Sequence, residues 1–288
     1  MLFFALSIAM YLVQNLSNKQ FSRLALKSSV STTLVQNGLC VLSAGLSLAL
    51  LGGGRTLPPV VILLALVFGG FYLLTVFLLL KAFALGPMGG STLLCNVGMF
   101  ISTFYGIFRF SDTFTVLIAV GGVLMFLAVV LSTPMQKGKK TAKGWFWVAL
   151  LSGLSNGVVA SVKREAVALC GDALQSFLML GFLFAAVIAF VAVAVTSDGR
   201  RQACEILRRP KAWLCGLFAG IGTAGANFFQ MQALRTVSSA IVYPLTSGFL
   251  VVSLWLLSFL VCREEEVTWR NVLAVIFCVL AIILVNLK

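Results

Sequence analysis

Apolar stretches of about 18–23 residues recur almost without pause along this chain, and that is the length a helix needs to cross about 30 Å of hydrocarbon. In lipid, only helices and closed barrels satisfy every backbone N–H and C=O. Barrel strands would alternate apolar and polar residues over about ten positions, whereas these runs are apolar all round and read as helices. The pattern predicts spans at 1–20, 29–51, 58–81, 86–108, 114–133, 145–165, 174–196, 211–235, 237–261 and 268–287. Pro58 and Pro59 open the third and Pro210 precedes the eighth, where a missing N–H costs least. The first span resembles a signal peptide in length but lacks a basic leading region and a small-residue cleavage site, so it is expected to persist as a helix. Ten spans leave short loops and no room for a soluble domain.

Composition narrows function further. The chain has no histidine, which excludes imidazole catalysis and the usual imidazole metal sites. Its seven cysteines are scattered without a CxxC pair and read as small apolar packing residues. No nucleophile elbow, phosphate-binding glycine loop or HExxH motif occurs. No enzymatic activity, cofactor or metal is expected.

A net charge of +13 would suit nucleic acid, yet the cations sit in short loops between spans, as the positive-inside rule describes. Loops joining odd to even spans carry fifteen of the 21 lysines and arginines, including Lys19, Arg23, Lys27, Lys137, Arg200, Arg201, Arg208, Arg209 and Lys211. The other face holds Arg55, Arg109, Lys163, Arg164, Arg235 and Lys288. A multi-pass inner-membrane protein without a nucleic-acid partner is expected, and the bias places both its termini on the extracytoplasmic side.

The second half echoes the first. A shift of 151 residues aligns Ala65 with Gly216, Gly69 with Gly220, Phe77 with Phe228, Lys81 with Gln232 and Ala82 with Ala233. A shift of 144 aligns Ala5–Leu6 with Ala149–Leu150, Ser17 with Ser161 and Lys19 with Lys163. Five spans per unit is odd, so the second unit must enter the membrane upside down. The expected fold is an all-α polytopic membrane protein of ten transmembrane helices in two inverted five-helix repeats. Residues 1–133 form one repeat and 145–288 the other, joined by a basic linker at 134–144. Such inverted pairs are the common frame of secondary transporters, with the substrate near the midplane.

The segment from Gln232 through Ala240-Ile-Val-Tyr-Pro-Leu245 resembles the eighth-to-ninth-helix signature of the drug/metabolite transporter (DMT) superfamily, EamA-like branch. Lys81-Ala-Phe-Ala-Leu-Gly-Pro-Met88 resembles its first-half counterpart. The acidic step Glu264–Glu266 before the last span, with Asp112 in the corresponding first-half place, and Lys19 and Lys163 at the ends of the first and sixth spans are also similar to that family. The chain departs from it where a Trp-Gly pair is usual: Leu12-Val13 and Asn156-Gly157 stand there, and no first-half proline matches Pro244. The resemblance implies ten helices, a pair of EamA repeats, and transport of small organic molecules by alternating access. By the same resemblance, helices 1, 3, 4, 6, 8 and 9 line the central cavity.

Polar residues inside spans are costly and mark pathways or interhelical bonds. The candidate substrate-binding residues are Asn15, Lys19, Tyr72, Asn96, Tyr105, Asn156, Lys163, Asn227, Gln230 and Tyr243. Asn227 and Gln230 are three apart and share a helix face. Lys19, Lys81 and Lys163 lie near predicted span ends, where snorkelling to headgroups is the default, but Lys19 and Lys163 are repeat mates that could draw an anion from either side. Acids are scarce: none precedes Asp112, and Glu165 alone approaches a span. That disfavours a cation exporter built on an intramembrane carboxylate. The function expected is export of a small polar, amino-acid-like metabolite, with a coupling proton or counter-substrate, by a monomer or homodimer. The alternatives are an antiporter of organophosphate or nucleotide-sugar-like anions, a drug or organic-cation exporter using Glu165, and, remotely, a non-transporting scaffold or scramblase.

Overall fold

The computed structural model describes residues 2–24, 30–52, 54–85, 91, 94–95, 98–111, 115–132, 144–257 and 269–286. Asn96, Asp112, the 134–143 part of the basic linker, Glu264–Glu266 and Lys288 lie outside the described residues, as does the side chain of Lys19. Every regular element described is helical. The α-helices are α1 (Leu2–Leu24), α2 (Val30–Leu50), α3 (Pro59–Leu85), α4 (Gly98–Phe110), α5 (Val116–Ser132), α6 (Trp145–Cys170), α7 (Leu174–Val195), α8 (Ser197–Leu207), α9 (Pro210–Leu234), α10 (Ser239–Leu257) and α11 (Trp269–Asn286).

Among the described residues, four continuous segments are long and apolar enough to cross a membrane: Ser31–Leu50, Pro59–Leu79, Trp145–Val195 and Pro210–Leu234. The third joins α6 to α7 through a single 3-10 turn, Gly171–Ala173. Large apolar side chains such as Leu63, Leu66, Leu151, Val187 and Phe218 face outward. Such a surface would aggregate in water and is at home in lipid. This is a multi-pass membrane protein.

Several helices outrun the predicted spans, α1 ending at Leu24 rather than 20 and α3 at Leu85 rather than 81. The sixth runs to Cys170, a turn beyond its predicted end at 165. The segment between the seventh and eighth is the short helix α8, because Thr196 caps it by accepting from the Gly199 N–H (3.2 Å) and its apolar residues share one face. Ile206 packs there with Phe21, Val35, Val193 and Ala212.

Packing runs across the two halves of the chain. α1 lies on α9 as α6 lies on α3; α2 lies on α9 as α7 lies on α3; and α4 meets α6 as α10 meets α1. α2 packs on α7, α4 on α10 and α5 on α11. Little hydrophobic force drives helices together in lipid, so close approach and polar bonds must do it. A methyl on Gly69 of α3 would overlap the Gly181 carbonyl of α7, and one on Gly153 of α6 would overlap the Leu94 carbonyl. Ser7 bonds the Ala226 carbonyl (2.9 Å), Ser43 the Leu217 carbonyl (2.9 Å), and Thr75 bonds Ser155 (2.9 Å). Between α3 and α7 the rings of Phe68, Tyr72, Phe177 and Phe182 pack at centroid distances of 5.4–5.8 Å.

Candidate functional site: a buried lysine between amides

Lys163 lies about two turns inside the end of α6. Its side chain is 5% exposed and turns into the protein, so the snorkelling expected of a span-end lysine does not occur. Its ammonium donates to Gln230 Oε1 (2.5 Å) and Asn227 Oδ1 (3.2 Å), both on α9. Asn227 is 2% and Gln230 5% exposed. The Asn227 amide is oriented by its own Nδ2, which donates to the Thr223 carbonyl one turn back (2.9 Å). Thr223 in turn meets the Cys40 thiol of α2 at 3.2 Å.

α10 closes another side. The Tyr243 ring stands 5.8 Å from the Lys163 ammonium, within cation–π range. Its hydroxyl donates to the Ala160 carbonyl (2.6 Å), one turn before the lysine. Pro244 follows inside the helix and has no N–H to give the Ala240 carbonyl. From α1, the Tyr11 hydroxyl reaches Gln230 Oε1 at 3.4 Å. Gln14, three residues along α1 and so on the same face, has a buried Oε1 with no hydrogen-bond partner among the described residues.

Four candidate residues from the sequence therefore frame or border one point: Lys163, Asn227, Gln230 and Tyr243. Tyr72 stands close by, facing Tyr11, Gln14, Cys40 and Thr223. Asn15 is a neighbour in sequence but spends its Nδ2 on the Tyr11 carbonyl of its own helix (2.7 Å). Two others lie elsewhere. Asn156 donates to the Cys95 carbonyl (3.4 Å), an interhelical bond. Tyr105 donates to Glu165 at the rim, where Arg109, 63% exposed, pairs with the same carboxylate (3.0 Å). Lys81 is exposed on α3. Tyr11 was not legible beforehand: a single tyrosine in an apolar run carries no signal until the helix facing it is known.

What holds Lys163 is unusual for a buried charge. A charge out of water is costly unless paired, and the hydrogen-bond partners described here are neutral amides. Carbonyl dipoles and an aromatic face hold an ammonium in place without cancelling its charge.

The sequence comparison bears on what such a site serves. Residues 139–287 match the EamA-like transporter family. The chain belongs to that family. EamA-like proteins are transporters within the DMT superfamily, and the matched region contains Lys163, Asn227, Gln230 and Tyr243, whereas Tyr11 and Gln14 lie outside it. A solved structure titled "Crystal structure of protein" aligns with 99% of this chain and 96% of its own, at a TM-score of 0.70 and 16% identity. That likeness is one of fold. No curated protein matches the chain.

For an EamA-like transporter the amides can be tested apart from the lysine. Gln230→Ala removes the shorter bond and the Tyr11 contact together, so it should cut flux about tenfold, and Asn227→Ala about threefold. Both should keep a wild-type elution profile in detergent. Parallel loss of folding and flux would make the pair interhelical glue.

Proposed function

We propose that this protein is a ten-helix secondary transporter of small carboxylate-bearing, amino-acid-like metabolites, working by alternating access with Lys163 as the anion-binding residue. The observation that carries the reading is the Lys163 side-chain nitrogen, buried with its residue 5% exposed and bonded to two neutral amides. A carboxylate arriving there would gain an ion pair at low dielectric and replace the amide oxygens that stand in for it. Gln14 Oε1, without a partner among the described residues and on the face of α1 that carries Tyr11, suits a donor such as a substrate ammonium.

The two inverted repeats are supported by the reciprocal packing: exchanging each helix for its counterpart turns the α1–α9 contact into α6–α3 and α2–α9 into α7–α3. Helices that meet their own counterparts, α2 with α7, α4 with α10 and α5 with α11, lie where a twofold axis would run.

A singly charged carboxylate fits a single lysine better than a doubly charged phosphate does. The neighbouring cation, Arg164, is turned away, donating to the Leu234 carbonyl (3.3 Å) and stacking on Phe110 (4.5 Å). The Glu165 carboxylate is already engaged by Arg109 and Tyr105, which leaves an organic cation little to bind. The deciding experiment is counterflow in proteoliposomes loaded in turn with amino acids, organophosphates and quaternary amines. Exchange of carboxylates supports the reading; exchange confined to phosphate esters or to amines overturns it.

The loop-charge bias supports extracytoplasmic termini. A fluorescent protein that matures only in the cytoplasm should stay dark when fused to the C-terminus, and a bright fusion would reverse the orientation.

A further inference from the structure

The short helix α8 and the start of α9 form a second charged feature, unrelated to the Lys163 site and independent of the reading above. Arg201, Cys204, Glu205, Arg208 and Arg209 line an open cleft of about 450 Å³. Arg201 and Cys204 are exposed on α8, as is Arg208, which caps its C-terminus, while Ala203 and Ile206 pack against the helix bundle. Gln202 accepts from Thr32 of α2 (3.2 Å), which fixes the helix's rotation. Glu205 pairs with Arg209 (3.3 Å), while the guanidinia of Arg201 and Arg208 make no ion pair among the described residues. Arg200 and Lys211 are exposed alongside. Two acids, Asp198 and Glu205, stand against five cations between 198 and 211.

Immediately beyond the cleft, α9 shows lipid an unbroken apolar stripe: Trp213, Leu214, Leu217, Phe218 and Ile221 are each 37–55% exposed. These residues recur three or four apart, so they lie along one side of the helix. From Lys211 to Ile221 the helix rises about 15 Å, close to the depth of one leaflet. Cations at a headgroup level followed by an acyl-length apolar stripe match an anionic phospholipid at both its ends.

We infer that the α8–α9 cleft binds the phosphate headgroup of an anionic phospholipid whose acyl chains lie along the outer stripe of α9. The lipid phosphate bonds Arg201 and Arg208, whose forked donors suit two phosphate oxygens. Residues that serve this site do not touch Lys163, so its loss leaves transport chemistry unaltered.

The test uses the full-length chain in mild detergent, with retained lipid counted by native mass spectrometry after equilibration with phosphatidylglycerol or phosphatidylcholine. Wild type should retain phosphatidylglycerol in preference to phosphatidylcholine, and the double variant Arg201→Gln/Arg208→Gln should lose about tenfold of that preference. Arg55→Gln, which removes an exposed cation from an even-to-odd loop, should leave it unchanged. If the double variant does not fold, Arg201→Gln and Arg208→Gln singly should each lose about threefold. An unchanged preference in the cleft variants, or an equal loss in Arg55→Gln, overturns the inference. So does displacement of phosphatidylglycerol by an excess of inorganic phosphate, which would make the ligand a free phosphate.

Discussion

Replacing Lys163 with glutamine should raise the substrate concentration for half-maximal flux about tenfold to a hundredfold, the worth of one charge-assisted hydrogen bond away from water. Glutamine keeps much of the length and can still bond Asn227 and Gln230, so what it removes is the charge. Lys163→Arg keeps the charge but brings a planar fork into a space shaped for a point donor, and its rise should be milder. Maximal flux should fall less than affinity in both. The same residue gives a readout that needs no substrate. A lysine serving the fold would cost stability when lost. One kept for a ligand is a buried charge without a counterion, and removing it relieves a penalty. Lys163→Met should therefore leave the apparent Tm unchanged or raise it, although Asn227 loses a partner. A fall of more than about 5 °C, or wild-type kinetics in Lys163→Gln, would sink the anion-binding role.

The second large effect concerns two adjacent glycines. Gly69→Ala places a methyl onto the Gly181 carbonyl and 3.0 Å from the Ala185 nitrogen, and both are backbone atoms of α7. Backbone cannot step aside as a side chain can, so α3 and α7 must separate, and Phe68, tilted against Phe177 and edge-on to Phe182, moves with them. The expected cost is about 3 kcal/mol, a fall in apparent Tm of roughly 8 °C. Gly70→Ala meets open space. Alanine is the better helix former by up to about 1 kcal/mol, so that variant should be neutral or slightly stabilised. Equal Tm values for the two would mean that α3 and α7 do not touch at Gly69.

How far the site was legible can be followed through particular residues. Asn227 and Gln230 could be paired from their three-residue spacing alone, because a helix puts such positions on one face. Lys163 stood out as a charge in a polar stretch of a span. Its direction could not be read, since a lysine near a span end is free to reach headgroups. The Gly171 break that ends α6 lies beyond the predicted boundary, and the extra turn places the ammonium below that level. Asn156 and Tyr105 carried the same kind of signal as Asn227 and Tyr243 and serve differently, one bonding a carbonyl and the other the Glu165–Arg109 pair.

The repeat register adds a contrast of its own. The shift of 151 aligns Asn227 with Val76 and Gln230 with Leu79. The amide pair of α9 therefore has no counterpart at the aligned positions of α3.

By itself the sequence determined that this chain is helical and lives in a membrane, because hydrocarbon imposes a fixed span length and an absolute demand on backbone hydrogen bonds. It also determined the family, through short motifs that stay close together along the chain. The tertiary structure alone decided which polar groups meet. Tyr11 and Gln230 are 219 positions apart and Lys163 and Asn227 are 64, and their contacts depend on how α1, α6, α9 and α10 rotate about their axes. That rotation is set by close glycine contacts and buried serine bonds, whose partners no local pattern records.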